Sequence, residues 1–297
     1  MPTAYNSEKT KRVAQDIAHS LGISYGIAPI GELVSLNEQL VNGVNPSNHP
    51  LSLSDAAMEN VQAKIRGTSV LSNLSAKLGA LFTNNGNKLE VALGYATLYG
   101  DWGGSIAPIG DLNKTEVVAM AEYINREVYG RKVIPQVLIP DRLWVFGKDQ
   151  IEPSAELKHK QVDPMKFVYH DALLDAMTDY KKMSSTDLLR AYHEGTLHTI
   201  IDKYLHGIRD SEPIGYDIME RWGITNPKKF VEDLEWFERK ITGNVFKRVQ
   251  APPIIITSKS AYGYDIRESM LPYTQSSSYV KLKEAVCALG EYTPREQ

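Results

Sequence analysis

The spacing of apolar positions divides the first ~130 residues into alternating helices and short apolar runs. A helix is predicted over 7–21, because Val13, Ile17 and Leu21 share one face, and Gly22 ends it. Similar spacing predicts further helices over 32–40, 54–78, 90–99 and 114–129. Continuous apolar runs predict buried strands at 23–30, 80–83 and 254–256. Alternation of this kind is typical of an α/β fold with a parallel sheet.

The remainder of the chain has a different pattern. Residues 134–164 are interrupted by prolines and predict a loop. Between 167 and 246 we expect a helical extension, with helices capped at Ser185, at Asp210 or Ser211, and at Asn226. The helix over 7–21 and the strand after it form the second half of a βαβ unit, so we expect the first strand of the sheet to be missing from this chain.

Composition excludes several classes of protein. The 297 residues contain 33 basic and 36 acidic side chains, and a net charge of −3 argues against a nucleic-acid coat or an anionic-membrane binder. Cys287 is the single cysteine, which excludes an intrachain disulfide and fits a reducing compartment. No apolar run approaches the ~20 residues of a spanning helix, and the N-terminus lacks a signal-peptide core. We therefore expect a cytoplasmic protein.

Residues 83–114 are the most informative for chemistry. A predicted strand leads into an Asn/Gly loop and then into a helix whose first turn carries Glu90. This arrangement presents main-chain amides and one carboxylate to a nucleotide. Lys114 begins the next helix, where the helix dipole disfavours a cation, so it is expected to reach towards an anion. On these grounds alone an ordinary loop with a capping glutamate and a solvated lysine is the preferred interpretation.

A resemblance to a known family changes that balance. Five segments in order resemble motifs of NAD synthetases, in particular the C-terminal synthetase part of the glutamine-dependent kind. They are E-N-V-Q-A-K-I-R-G at 59–67, G-N-K-L-E at 86–90, G-Y-A-T-L-Y-G-D at 94–101, P-S-A-E-L at 153–157 and F-K-R-V-Q-A-P-P at 246–253. The resemblance implies a Rossmann-like domain of the ATP-pyrophosphatase type over 1–260 and a C-terminal tail over 261–297.

The family reaction is the ATP-dependent amidation of deamido-NAD. By resemblance, ATP and Mg²⁺ adenylate the nicotinate carboxylate, pyrophosphate leaves, and ammonia displaces AMP to give NAD. ATP, deamido-NAD and ammonia are therefore the implied small-molecule partners. The resemblance also implies a homo-oligomer, and it gives no role to nucleic acid or membranes.

The matching positions supply candidate site residues. Those that resemble ATP-binding positions are Lys64, Arg66, Asn85, Glu90, Lys114 and Ser154. Lys114 and Ser154 resemble the residues that meet the phosphates during catalysis, and Glu90 resembles the magnesium ligand. Those that resemble deamido-NAD-binding positions are Asn87, Tyr95, Thr97, Asp101, Lys247 and Arg248. Departures from the family pattern occur at Lys64, Asn85, Leu89 and Val249, where Arg, Thr, Ser and Arg are usual.

Two parts of the glutamine-dependent enzymes have no counterpart in this sequence. The pyrophosphate-gripping loop S-G-G-x-D-S occurs nowhere in the 297 residues, and a nitrilase-like glutaminase domain is also absent. We expect either that an upstream subunit supplies these parts or that the chain is truncated. The alternatives to catalysis are a relic that binds nucleotide or deamido-NAD without turnover, and an assembly subunit.

Overall fold

The structure, a computed structural model, describes most of the chain. The described residues are 1–3, 5–44, 52–140, 145–152, 157, 163–179, 182–205, 213–263 and 274–295. The helices are α1 (Glu8–Leu21), α2 (Gly31–Asn42), α3 (Asp55–Lys64), α4 (Ser72–Leu78), α5 (Lys88–Leu93), α6 (Lys114–Tyr123), α7 (Tyr169–Thr178), α8 (Ser185–His193), α9 (Leu197–Leu205), α10 (Gly215–Arg221), α11 (Pro227–Gly243), α12 (Val245–Arg248) and α13 (Ser277–Cys287).

Local capping signals determine where the first helices begin and end. The Ser7 hydroxyl accepts the Thr10 amide at 3.1 Å, and Gly22 ends α1 in the left-handed region at φ 65°. The predicted helix over 54–78 is also present, capped by Ser54 and interrupted by a π-helical stretch, Ile65–Leu71. Predicted helix 114–129 likewise continues α6 into a π-helical turn.

The prediction of a strand over 23–30 is wrong. Within the described ranges, parallel pairing is limited to isolated bridges, Thr83 with Ile106 and Ala107 with Ile254, so the predicted runs 80–83 and 254–256 pair at single residues. Ile23 donates its amide to α1, at Ala18 O (3.0 Å). An extended segment becomes a strand only when a neighbouring backbone pairs with it in a ladder, and among the described residues the bond from the Ile30 amide to Pro2 O (3.3 Å) forms no ladder.

Helix α5 is shorter than predicted. We expected it over 90–99, but it begins at Lys88 and ends at Leu93, because Gly94 adopts φ 57°. Tyr99, also at positive φ (60°), lies in the turn that follows. The apolar periodicity of 90–99 continues past the glycine, and the backbone does not follow it.

The C-terminal half forms the centre of the hydrophobic core. Phe230 and Phe237 of α11 are fully buried, and Phe230 stacks on Tyr192 of α8 with ring centroids 4.1 Å apart. Helix α13 packs against α8 and α11, and its fully buried Val286 joins the same core. The described part of the segment after 261 therefore packs against the rest of the chain.

Of the helix caps predicted between 167 and 246, two fall on described residues, and one of these is displaced by one residue. The cap of α8 is Ser184 rather than Ser185, since the Ser184 hydroxyl accepts the Asp187 amide at 3.2 Å. Asn226 caps α11 as predicted, with Pro227 in its first turn. The predicted cap at Asp210 or Ser211 lies outside the described residues.

The described helices are short or carry charged side chains. None of them combines the length and the apolar character that crossing a bilayer requires.

We predict that Phe237→Ala lowers the free energy of unfolding by about 3–5 kcal/mol, because it empties a fully buried aromatic site. Urea denaturation followed by far-UV circular dichroism measures the change. Phe246→Ala is the matched control, and its effect should stay within about 1 kcal/mol because that ring is 43% exposed. Equal losses in the two variants would contradict the position assigned to the core.

Candidate active site

A cavity of about 760 Å³ lies beside the first turns of α5 and α6. One wall is polar and is formed by Asn84, Asn85, Glu90, Tyr95, Asp101, Lys114 and Asp163. The apolar part of the lining, called the apolar wall below, is formed mainly by α6 and the segment after it, including Val117, Ala121, Ile124, Ile139 and Phe146. A cleft with one apolar wall and a few convergent polar groups is the usual form of a small-molecule site.

The loop before α5 is fixed by its own side chains. Asn87 and Glu90 form a capping box, in which Asn87 Oδ1 accepts the Glu90 amide (3.1 Å) and Glu90 Oε2 accepts the Asn87 amide (2.9 Å). Buried Asn84 accepts the Gly86 amide at 3.0 Å and donates to the Asp101 carbonyl at 2.7 Å. These hydrogen bonds within the loop hold the Glu90 side chain at the cavity. The Asn87 side chain is occupied by the helix cap.

Three carboxyl groups share the polar wall with one cation. Burial raises the pKa of Glu90, the nearby Asp163 and Asp101 raise it further, and Lys114 opposes the shift. Burial also raises the pKa of Asp163, against a hydrogen bond from the Tyr95 hydroxyl (3.2 Å) and the charge of Lys114. Lys114 is the only basic side chain among the described residues around the cavity. A bound cation would relieve the repulsion among the carboxylates.

Asp101 lines the cavity and interacts electrostatically with two basic residues, Lys247 and Arg66. Its Oδ1 accepts the Thr97 amide at 2.5 Å. Burial raises the pKa of Asp101, whereas the hydrogen bond from the Thr97 amide and the charges of Lys247 and Arg66 lower it. Arg66 donates to Met1 O (3.3 Å) and Asn6 Oδ1 (3.2 Å), which joins the π-helical stretch after α3 to the N-terminus.

The basic residues of α12 contact main-chain carbonyls. Lys247 Nζ donates to Ala96 O at 2.8 Å, and Arg248 donates to Ala92 O (2.6 Å) and Ile241 O (2.8 Å). Both residues act at or just after the C-terminus of α5, where the helix dipole favours a cation. In this structure they stabilise the turn that carries Asp101.

A buried ionic network fixes the starts of α5 and α6 relative to each other. Lys88 Nζ lies 3.5 Å from Asp111 Oδ1 and 3.5 Å from Asp175 Oδ1, and it donates to Ser258 Oγ at 3.1 Å. Asp175 Oδ2 also accepts a hydrogen bond from Asn113 Nδ2 (2.6 Å). Because Lys88 is two residues from Glu90, and Asn113 precedes Lys114, the network sets the spacing of the two charged groups in the cavity.

The structure brings together some predicted site residues and separates others. Those that line the cavity are Asn85, Glu90, Tyr95, Asp101 and Lys114. Those that lie outside its described lining are Lys64, Arg66, Asn87, Thr97, Lys247 and Arg248. Ser154 lies outside the described residues.

Several lining residues were absent from the predicted set. Asp163, Asn84, Trp102 and the apolar wall were missed. Asp163 follows the P-S-A-E-L segment by six residues, and that was the one available signal for it. The apolar wall has the same periodicity as a core helix face, so nothing in the sequence distinguishes it.

The fold and the sequence of the chain both match known proteins. The chain has the fold of the glutamine-dependent NAD(+) synthetase from Cytophaga hutchinsonii, whose crystal structure it matches with a TM-score of 0.59 at 17% identity, over 96% of this chain and 39% of that one. The family model for NAD synthase matches residues 1–212, and the chain belongs to that family.

Sequence relatives agree with this assignment. The glutamine-dependent NAD(+) synthetase of Thermotoga maritima is 33% identical over 267 residues, which are 90% of this chain and 38% of that protein. That of Synechocystis sp. is 36% identical over 173 residues, 58% of this chain and 28% of that protein. The chain thus spans well under half the length of these relatives.

We predict that Lys88→Met lowers the free energy of unfolding by about 3–5 kcal/mol, because Asp111 and Asp175 are left without their buried cation. Chemical denaturation measures the change. Lys11→Met is the matched control and should cost about 0–1 kcal/mol, since Lys11 pairs with Glu8 at the surface. A cost as small as the control's would show that the network does not hold the two helices.

The pH dependence of stability provides a second test. Burial raises the pKa of Asp171 to about 7, so the folded state binds a proton that the unfolded state releases near pH 4. This contribution to stability is complete below about pH 4 and is lost as the pH rises through about 7. Asp171→Asn should therefore stabilise the protein more at pH 8 than at pH 5, in urea titrations.

Asp187 is the matched control of opposite sign. Hydrogen bonds from Ser184 lower the pKa of this carboxyl. The stability that it contributes is present at neutral pH and is lost as the pH falls through its folded pKa. The cost of Asp187→Asn should consequently shrink towards low pH. The same pH trend in both variants would contradict the assignment.

Proposed function

We propose that the chain binds ATP and deamido-NAD in this cavity and contributes to the ATP-dependent amidation of deamido-NAD to NAD. The observation that carries the proposal is the gathering of Glu90, Asp101, Asp163 and Lys114 on one wall of the cavity, at the starts of α5 and α6. Membership of the NAD synthase family supports it. The polar wall is suited to phosphates and a metal ion, and the apolar wall to a planar ring.

The proposed chemistry has two steps. An oxygen of the nicotinate carboxylate attacks the α-phosphorus of ATP, the bond to pyrophosphate breaks, and an acyl adenylate forms. The lone pair of ammonia then attacks the carbonyl carbon, AMP leaves with the electrons of the broken C–O bond, and the nitrogen loses a proton. Lys114 neutralises charge on the phosphates in the first step. A carboxylate with a raised pKa, as at Asp163 or Asp101, suits the uptake of the proton.

Mg²⁺ fits the chemistry of the polar wall. Glu90 would hold the ion, because it offers a hard oxygen ligand whose charged form is disfavoured by burial and by nearby carboxyls. Among the described residues no group of three potential ligands is placed to form a cage. Mg²⁺ commonly uses one or two carboxylates together with substrate phosphates, which agrees with that arrangement. When bound, it would neutralise charge on the phosphates.

Two finer assignments belong to the same proposal. We take the parallel bridges at Thr83 and Ala107 as part of the parallel sheet of the ATP-pyrophosphatase fold. We also propose that a polypeptide carrying S-G-G-x-D-S completes the phosphate site, because that motif occurs nowhere in this sequence. The absence equally favours a second candidate function, binding of deamido-NAD or an adenine nucleotide without turnover.

The test separates the two candidates. We expect the purified chain to bind deamido-NAD in isothermal titration calorimetry, but to form no NAD from ATP, Mg²⁺, deamido-NAD and ammonia. Addition of the S-G-G-x-D-S polypeptide, if one is encoded upstream, should restore NAD formation. Binding without any restored turnover would favour the non-catalytic candidate, and absence of binding would contradict both.

A variant pair tests the role of the polar wall. In the reconstituted reaction, Glu90→Ala should reduce turnover about 100-fold or more, because a charge-stabilising ligand is lost. Glu152→Ala, at the edge of the same cavity and exposed, is the matched carboxylate control and should retain most of the activity. Equal losses in both variants would contradict the role of Glu90.

A further inference from the structure

The segment between Asp163 and α7 supplies one carboxyl to the cavity and one ring to the lysine that lines it. Asp163 lines the polar wall and accepts the Tyr95 hydroxyl at 3.2 Å. Four residues later, the ring of Phe167 lies under Lys114, with Nζ 5.4 Å from the ring centroid. The path of this short segment therefore affects both a carboxylate and the cation of the site.

The backbone of this segment is strained at its end. Val168 has φ 73° and ψ −56°, and it is fully enclosed at 1% exposure. A β-branched residue at positive φ is a genuine outlier, and it persists only where the surrounding structure imposes it. Some group outside the segment must therefore hold Val168 in place.

His170 is that group. Its Nδ1 accepts the Lys166 amide at 2.9 Å, and its own amide donates to Lys166 O at 2.8 Å, which closes a double link across Val168. Its Nε2 lies 2.9 Å from Asp233 Oδ2 on α11, and Lys166 Nζ pairs with the other oxygen of that carboxylate. Because Nδ1 accepts from an amide, the ring proton must be on Nε2.

The ring is also confined by its neighbours. His170 is fully buried, with Trp236 stacked at 5.5 Å and Phe237 at 5.0 Å between centroids. It cannot turn to exchange the roles of its two nitrogens without displacing these rings. The link to the Lys166 amide is therefore tied to one tautomer and one charge state.

We propose that His170 is a positioning residue, which in its neutral Nε2–H form holds the segment 163–168 so that Asp163 lines the cavity and the Phe167 ring lies under Lys114. Protonation of Nδ1 would set a donor against the Lys166 amide and release the segment. The ligand affinity of the cavity is thereby coupled to the charge on His170. The choice of ligand in the test rests on the proposed function, whereas the coupling itself does not.

The electrostatic surroundings give the direction of the pH effect. Burial lowers the pKa of His170, Asp233 from α11 opposes this, and Lys166 lowers it further. Tyr169, beside the ring in α7, stays neutral because burial raises its pKa well above the ordinary value. His170 is therefore neutral in the folded protein at pH 7. As the pH falls below ~6.5, the ordinary pKa of histidine, the state in which Nδ1 accepts the Lys166 amide becomes less favourable.

The first test measures amide hydrogen exchange of the segment 163–170 in the full chain between pH 8 and pH 5. In the wild type we expect the protection factor of the Lys166 amide to fall about tenfold or more across this range. His170→Asn keeps an acceptor near Nδ1 but cannot ionise, so its protection factor should not fall towards pH 5; the titration of the neighbouring Asp171 acts in the opposite direction. His170→Phe should lose protection at every pH. If His170→Phe does not fold, the comparison of wild type with His170→Asn decides the outcome.

Phe230→Leu is the matched control. It removes volume from the same helix, α11, and from the same core, at a ring that contacts Tyr192 rather than His170. Its segment 163–170 should show the wild-type pH dependence. A wild-type protection factor that does not change with pH, or a His170→Asn profile that matches the wild type, would overturn the proposal.

The second test measures deamido-NAD binding by calorimetry in the same variants. We expect the Kd of the wild type to rise about tenfold between pH 8 and pH 5, and that of His170→Asn to change much less. If the exchange data follow His170 while no variant binds deamido-NAD, the positioning role stands and the proposed function fails. If deamido-NAD binds with the same pH dependence in wild type and His170→Asn, the coupling is wrong and the proposed function survives.

Discussion

The candidate site depends on one buried cation. Lys88 is almost completely enclosed, and its ammonium group lies between Asp111 and Asp175. A buried charge is tolerated only where opposite charges and hydrogen bonds replace its hydration, so this group ties the start of α5 to the turn before α6 and to α7. The two charged groups of the cavity, Glu90 and Lys114, take their spacing from that link.

The polar wall itself is electrostatically unfavourable without a ligand. Glu90, Asp101 and Asp163 all have raised pKa values, with burial as the first cause in each, and Lys114 opposes the shift at Glu90 and Asp163. Such clusters are characteristic of functional sites, because a structural role alone rarely requires like charges to face one cavity. The strained backbone at Val168 lies on the segment that brings one of these carboxyls to the wall.

Sequence reasoning succeeded where the determining interaction is local. Ser7 and Asn226 cap helices as predicted, because a capping side chain and the amide it accepts are within a few residues of each other. It failed where a partner distant in sequence decides. Residues 23–30 have the composition of a strand, but among the described residues no β-bridge joins them to another segment.

The sequence by itself determined the family, most helices and two polar residues that line the cavity, Glu90 and Lys114, since motif spacing and capping are properties of neighbouring residues. Only the tertiary structure decided which candidates share a cavity. Asp163 is brought to Glu90 by the packing of segments far apart in the chain, and His170 is linked to Asp233 across two helices. Contacts of this kind depend on how helices and loops pack, and the order of apolar and polar residues along the chain does not specify that packing.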